Sequence, residues 1–139
     1  MIEKAIAMAL KAHKGQLDLA KMPYILHPLR VAFKFTGADD LFAAAVLHDV
    51  VEDSSITIEA IHKAFGPYVA EIVDRLTRRE GEVYLTEFIP RCKKNQLAAA
   101  IKIADIEDNL DPKRMLPISL EGFSRVKRYY QALKVLKGI

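Results

Sequence analysis

Wound as a helix, the stretch from Leu41 to Val51 is apolar on nearly every side, and it runs directly into Glu52-Asp53. A helix without a polar face belongs in the centre of a bundle. The rest of the chain supplies helices to surround it. Ile2, Ile6, Ala9, Leu10 and His13 recur at three- and four-residue spacing and predict an amphipathic helix ending at Gly15. Gln16 to Tyr24 lacks that period and predicts a loop. Pro28 fits the first position of a second helix with Leu29, Ala32, Phe33 and Thr36 inward and Gly37 at its end. Asp39 or Asp40 predicts the N-cap of the central helix.

Thr57 predicts a cap for Ile58 to Phe65, and Gly66-Pro67 separates that helix from one striped by Val69, Ile72, Val73 and Leu76. Arg78 to Gly81 reads as a turn. Val83 to Lys93 reads as a helix kinked or shortened by Pro90. Gln96 to Leu110 predicts an Ala- and Ile-rich helix, and Pro112 and Pro117 bracket a loop. Ser119 predicts the cap of a last helix with Leu120, Phe123, Val126, Tyr130, Leu133 and Leu136 on one face and Gly138 at its end. That face favours Tyr130 in the core over a Tyr129-Tyr130 stacking ring for a base, and a solvated face for Arg125, Lys127, Arg128, Lys134 and Lys137 over a patch that attracts anions or a partner. No run alternates as a half-buried strand should, and no repeat recurs along the chain. The expectation is an all-α fold, one domain over residues 1–139, with seven or eight helices.

Composition narrows the function classes. With 51% hydrophobic and 28% charged residues, the chain has the makings of a globular core and is no disordered segment. Its 21 basic residues face 18 acidic ones, a net charge of +3, so the balance suits a local basic patch for a phosphorylated small molecule rather than a nucleic-acid surface. No segment reaches the ~20 apolar residues of a membrane span, and the charged N-terminus does not read as a signal peptide. The single cysteine, Cys92, cannot form an internal disulfide and is expected to be a small buried apolar residue. The cytoplasm is the expected location.

Chemistry concentrates in three places. His48, Asp49, Glu52 and Asp53 crowd the end of the most apolar helix, where acids oppose the helix dipole and repel one another unless a positive charge sits among them. Lys102, Asp105 and Asn109 share one face of a later helix. His27 precedes Pro28. Two imidazoles and two carboxylates, His27, His48, Asp49 and Asp105, make a mixed nitrogen and oxygen donor set suited to manganese, iron or a catalytic zinc.

His48-Asp49, with a distant His before and a distant Asp after, resembles the HD superfamily of metal-dependent phosphohydrolases. More narrowly the chain resembles the hydrolase domain of the RelA/SpoT alarmone enzymes and their stand-alone relatives. The matching stretches are Ala12-His13-Lys14-Gly15-Gln16, Pro23 to Leu29, Leu47 to Asp53, Phe65-Gly66, and Ile101 to Asp105 with Asn109. The resemblance implies an HD-type helical bundle in which His27, His48, Asp49 and Asp105 hold one divalent ion, commonly manganese. It implies that Glu52 and Asp53 position and activate the attacking water. Lys102, helped by Lys14 or Arg78, would offset charge on a leaving pyrophosphate, and Asn109 would face the nucleoside. The implied activity is removal of the 3′-pyrophosphate of ppGpp-like alarmones, with no alarmone synthesis expected.

The chain departs from that pattern at the rim. Asp18 and Leu19 stand where relatives acting on guanine alarmones carry Arg and often Lys, and Asp105-Ile106-Glu107-Asp108-Asn109 stands for their Asp-Arg-Leu-His-Asn. An Asp offers no cation for a base face. These departures keep two alternatives open: the same chemistry on an adenine alarmone or another 2′- or 3′-phosphorylated nucleotide, and a non-catalytic domain that binds metal and nucleotide. The oligomeric state is not legible in the sequence.

Overall fold

Phe42, Ala43, Ala44, Ala45 and Val46 are all buried in the computed structural model, which describes residues 1–114 and 119–139. Pro117 lies outside the described residues. The helices are α1 (Ile2–Ala12), α2 (Leu26–Phe33), α3 (Asp39–Val46), α4 (Val50–Asp53), α5 (Ile58–Phe65) and α6 (Pro67–Leu76). A π-helical turn (Tyr84–Phe88) leads into α7 (Ile89–Lys93), followed by α8 (Gln96–Asn109), a 3-10 turn (Pro112–Arg114) and α9 (Leu120–Lys137). Among the described residues there is no strand, only one isolated bridge between Leu17 and Pro23. The all-α expectation holds, and each stretch expected to be helical forms helix over most of its length.

The apolar α3 occupies the centre as its composition demands, packed against α1, α2, α6 and α8. One apolar core surrounds it. A second, smaller core joins Phe88, Ile89, Cys92, Ala99, Ile106, Ala132, Leu133 and Leu136 from the π-helix, α7, α8 and α9. Cys92 is fully buried, as expected. Helix α8 serves both cores: Ala98, Ile101 and Ala104 face the first, Ala99 and Ile106 the second. Each large side chain buried this way contributes roughly 1.5–3 kcal/mol.

Several local details differ from expectation. The central helix does not continue to Val51 but breaks at Leu47–Asp49. In an uninterrupted helix the Ala45 carbonyl would accept from the Asp49 N–H; here it accepts from the His48 N–H at 3.3 Å and lies 2.6 Å from the His48 Nδ1. The imidazole has taken the carbonyl from the ladder. Ala38, not Asp39 or Asp40, is the N-cap, and the two acids lie in the first turn, where they complement the dipole. Pro28 is the third residue of α2, still in the turn whose N–H groups need no helical partner.

Pro90 acts upstream of itself. The Phe88 N–H donates to the Val83 carbonyl and the Ile89 N–H to the Tyr84 carbonyl, five residues back, so a π turn precedes α7 and Pro90 falls in the first turn of the new helix. The apolar face read along α9 is correct only in its second half. Leu133 and Leu136 are buried, whereas Leu120, Phe123 and Tyr130 are exposed. Tyr130 is therefore not a core residue, because α9 meets the body of the protein over its C-terminal turns.

Candidate active site

The break after α3 turns His48 and Asp49 toward α8, where Asp105 waits, and α2 brings in His27 from the other side. One ligand atom from each of His27, His48, Asp49 and Asp105 lies within 4.8 Å of the others. His27 Nε2 is 2.9 Å from Asp105 Oδ1 and 3.6 Å from Asp49 Oδ2. His48 Nε2 is 3.0 Å from Asp49 Oδ2 and 3.3 Å from Asp105 Oδ1. Both histidines and Asp105 are almost entirely buried.

The outer atoms of these groups are already committed. His48 Nδ1 faces the Ala45 carbonyl, and His27 Nδ1 lies 2.7 Å from Asp108 Oδ2. Lys102 Nζ donates to Asp105 Oδ2 at 2.7 Å, Asn109 Nδ2 to Asp105 Oδ1 at 3.2 Å, and the Tyr24 hydroxyl to Asp49 Oδ2 at 2.6 Å. In the metal-free protein Asp49 and Asp105 keep His48 protonated; with the Nε2 protons displaced, two imidazole lone pairs and two carboxylate oxygens would face one another. That set lacks a positive charge at its middle, and a divalent cation with nitrogen and oxygen ligands fits it.

The electrostatics express the same demand. Burial works to raise the Asp49 and Asp105 carboxyls, yet His48 beside Asp49, and Lys102 and His48 beside Asp105, hold both below the usual carboxylate range. Burial disfavours charge on Lys102 as well, but Asp105 outweighs it and keeps the ammonium protonated. The Lys102–Asp105 pair is thus buried rather than a surface ion pair.

An open cleft of about 200 Å³ leads to this centre, lined by Asp49, Asp105 and Lys102 below and by Glu52, Arg78 and Tyr84 above. Glu52 Oε1 accepts from the Arg78 backbone N–H, and burial pushes its carboxyl up. Asp53 follows at the end of α4. Burial and the charge of Asp49 push its carboxyl to about 6, but it is not among the residues lining the cleft. Its carbonyl accepts from Gln16 Nε2 at 2.8 Å, which ties α4 to the loop after α1. Asn109 lines the cleft; Lys14 is exposed and does not.

Several contributors escaped the sequence reading. Arg128, read as part of a solvated face, lines the cleft with its guanidinium carbon 5.0 Å from the centre of the Tyr84 ring. Arg78 and Lys102 approach the same ring at 5.7 and 5.9 Å. Tyr129, beside the exposed Tyr130, also lines the cleft. The Tyr84 hydroxyl is buried and finds no partner among the described residues. The Tyr129-Tyr130 pair and the basic run around Arg128 are visible in the sequence, but only the packing of α9 decides that Arg128 and Tyr129 reach the cleft. Tyr24 had a signal, lying three residues ahead of His27 in one motif. The rim departures also have structural partners: Arg114 Nε lies 3.5 Å from Asp18 Oδ2, and Asp108 contacts His27.

Comparison with known proteins follows the same lines. Residues 5–108 match the HD domain family. The guanosine-3′,5′-bis(diphosphate) 3′-pyrophosphohydrolase MESH1 of Xenopus tropicalis is 39% identical, covering 100% of this chain and 84% of that protein. The protein of the same name from Danio rerio is 34% identical over 98% of this chain and 82% of its own length. An Aquifex aeolicus guanosine-3′,5′-bis(diphosphate) 3′-pyrophosphohydrolase is 35% identical over 78% of this chain, which spans only 17% of that longer protein. Among solved structures, a metazoan SpoT orthologue that hydrolyses ppGpp and plays a role in starvation responses superposes with a TM-score of 0.85. It is 26% identical, covering 99% of this chain and 85% of that one.

Proposed function

Since the chain belongs to the HD domain family, we propose that it is a manganese-dependent phosphohydrolase that removes the 3′-pyrophosphate of ppGpp-like nucleotides. The observation that carries this reading is the convergence of four ligand atoms within 4.8 Å at the floor of a cleft lined by cations. His27, His48, Asp49 and Asp105 would hold the ion, and two imidazoles with two carboxylates suit manganese. When bound, a divalent ion supplies Lewis-acid charge to a phosphoryl group and makes nearby water more acidic.

The chain's own groups do the rest. Glu52 sits at the cleft wall with its carboxyl raised by burial, so it accepts a proton from water more readily than a free carboxylate would. Asp53 supports the same region from the end of α4. Lys102, Arg78 and Arg128 surround Tyr84 and offset the charge of the departing pyrophosphate. Burial pushes the Tyr84 phenol up to about 12, so its hydroxyl, without a partner among the described residues, stays protonated and can donate to a phosphate oxygen. Asn109, held against Asp105, faces the nucleoside side.

The rim supports a second reading of the base. Asp18 is engaged by Arg114, and Leu19, Arg114 and Tyr129 line a small recess next to the cleft. With Asp18 and Leu19 supplying no cation to meet a guanine, the second reading is an adenine alarmone or another 2′- or 3′-phosphorylated nucleotide hydrolysed by the same chemistry. The test is metal content together with phosphate and pyrophosphate release from a panel of guanine and adenine substrates with added manganese. Metal-dependent pyrophosphate release from ppGpp, lost in His48→Ala and Glu52→Gln, is the expected result. Folded protein that neither binds metal nor releases either product overturns the catalytic reading. Turnover confined to the adenine substrates transfers it to the second.

A further inference from the structure

His27 and His48 reach the same centre with different support. The Nδ1 of His48 faces a neutral backbone carbonyl of its own turn, whereas that of His27 faces a carboxylate from another helix, 81 residues along the chain. Asp108 lies three residues after Asp105 on α8, so the two carboxylates leave the same helix face. Asp105 Oδ1 stands 2.9 Å from His27 Nε2 and Asp108 Oδ2 stands 2.7 Å from His27 Nδ1. One helix therefore grips both nitrogens of one imidazole.

We propose that Asp108 is a positioning residue for the metal centre, forming a carboxylate–imidazole pair that aims His27 Nε2 and strengthens it as a ligand. The inference rests on the metal-binding reading above and deepens it. Asp108 itself is held rigidly. Arg30 Nε donates to its Oδ1 at 2.9 Å, Arg30 Nη2 to its Oδ2 at 3.2 Å, and Arg114 Nη1 to its Oδ2 at 3.3 Å. Its side chain is only 9% exposed. At 2.7 Å, Asp108 is nearer to His27 Nδ1 than Arg114 Nη1, which lies 3.0 Å from it, so the carboxylate draws the ring proton to Nδ1 and frees Nε2 for an ion beside Asp49 and Asp105. Its negative charge also makes the imidazole a better donor. Arg30 acts by holding Asp108, while Arg114 braces Asp108 and also approaches His27 Nδ1 and Asn109 Oδ1.

The experiment measures manganese affinity by competition with a chromophoric chelator for the wild type, Asp108→Ala and Asp108→Asn, alongside melting of the metal-free proteins. Removing a carboxylate that supports a metal-bound histidine costs about 10–100-fold in metal affinity. That loss is expected for Asp108→Ala, with a smaller loss for Asp108→Asn, which keeps an acceptor for the ring N–H but not the charge. Pyrophosphate release by both variants should recover at saturating manganese, which a merely structural lesion would not allow. Affinity within twofold of wild type in folded Asp108→Ala overturns the proposal. If that variant does not fold, unchanged affinity in Asp108→Asn overturns the charge-based support instead. A wild type that binds no manganese brings down the parent reading.

Discussion

Lys102 Nζ donates to Asp105 Oδ2 across one turn of α8 at 2.7 Å, which leaves Oδ1 as the atom facing His27 and His48. A surface pair of this spacing would contribute a few tenths of a kcal/mol. Here both groups are buried. The pair sets which oxygen of Asp105 is offered to the centre.

Replacing Lys102 by Met strands a buried carboxylate. The metal-free variant should lose about 3–5 kcal/mol of stability, the usual effect of removing one partner of a buried pair. Manganese bound at the centre would restore positive charge beside Asp105, so the deficit should shrink when the ion is added. Urea unfolding with and without manganese checks this; an equal deficit in both conditions contradicts it.

Tyr24→Phe removes the 2.6 Å hydrogen bond to Asp49 Oδ2 while keeping the ring against His13 and His27. A hydrogen bond to a charged acceptor is worth roughly 1.5–3 kcal/mol. Manganese affinity and pyrophosphate release at low manganese should both fall, with the fold intact by circular dichroism. Unchanged affinity would show that Asp49 needs no such anchor.

The turn after α6 predicts a specific acid sensitivity. Arg91 Nε and Nη2 grip both carboxylate oxygens of Glu82 at 2.7 and 3.0 Å, and this holds the Glu82 carboxyl down at about 2. A carboxyl lowered on folding stabilises fully above its unfolded value, near 4.5, and that contribution is lost as pH falls toward about 2. The unfolded chain binds the proton first throughout that window. Wild type should therefore lose more stability than Glu82→Gln between about pH 5 and about pH 3. Parallel slopes in denaturant midpoints against pH would refute the assignment.

Asn95 caps α8, its Oδ1 accepting from the Leu97 and Ala98 N–H groups at 3.0 and 3.1 Å. Asn95→Ala should lower stability by about 1 kcal/mol. Because the cap lies two turns from Lys102, the metal affinity of the folded variant should match that of wild type. A changed affinity at saturating fold would show that the N-terminus of α8 sets the register of its ligands.

Much of this protein was legible from residue types set against their surroundings. A helix apolar all round had to be central, and α3 is. Charged and imidazole groups at the end of such a helix, and Asp105 on a helix rich in Ala and Ile, were conspicuous because burying them alone is costly. Thr57, Ser119, Gly66 and Pro67 marked helix ends through chemistry local to a few residues, and the structure uses them so. The same local logic failed at His48, whose ring competes for a backbone carbonyl, and on α9, where Leu120 and Phe123 of the periodic face are exposed among the described residues.

The sequence by itself determined the helical class, the central element and the residue types that meet at its end. Periodicity and end signals act over a few residues and need nothing distant. Only the tertiary structure decided which atoms face which: that Asp108 backs His27, that Tyr24 anchors Asp49, that Arg128 and Tyr129 reach the cleft while Lys14 and Tyr130 do not. Those relationships join segments 25 to 81 residues apart. They depend on how two apolar cores seat α8 between them, and hydrophobic burial, being non-directional, leaves no mark of that seating in any short stretch of the chain.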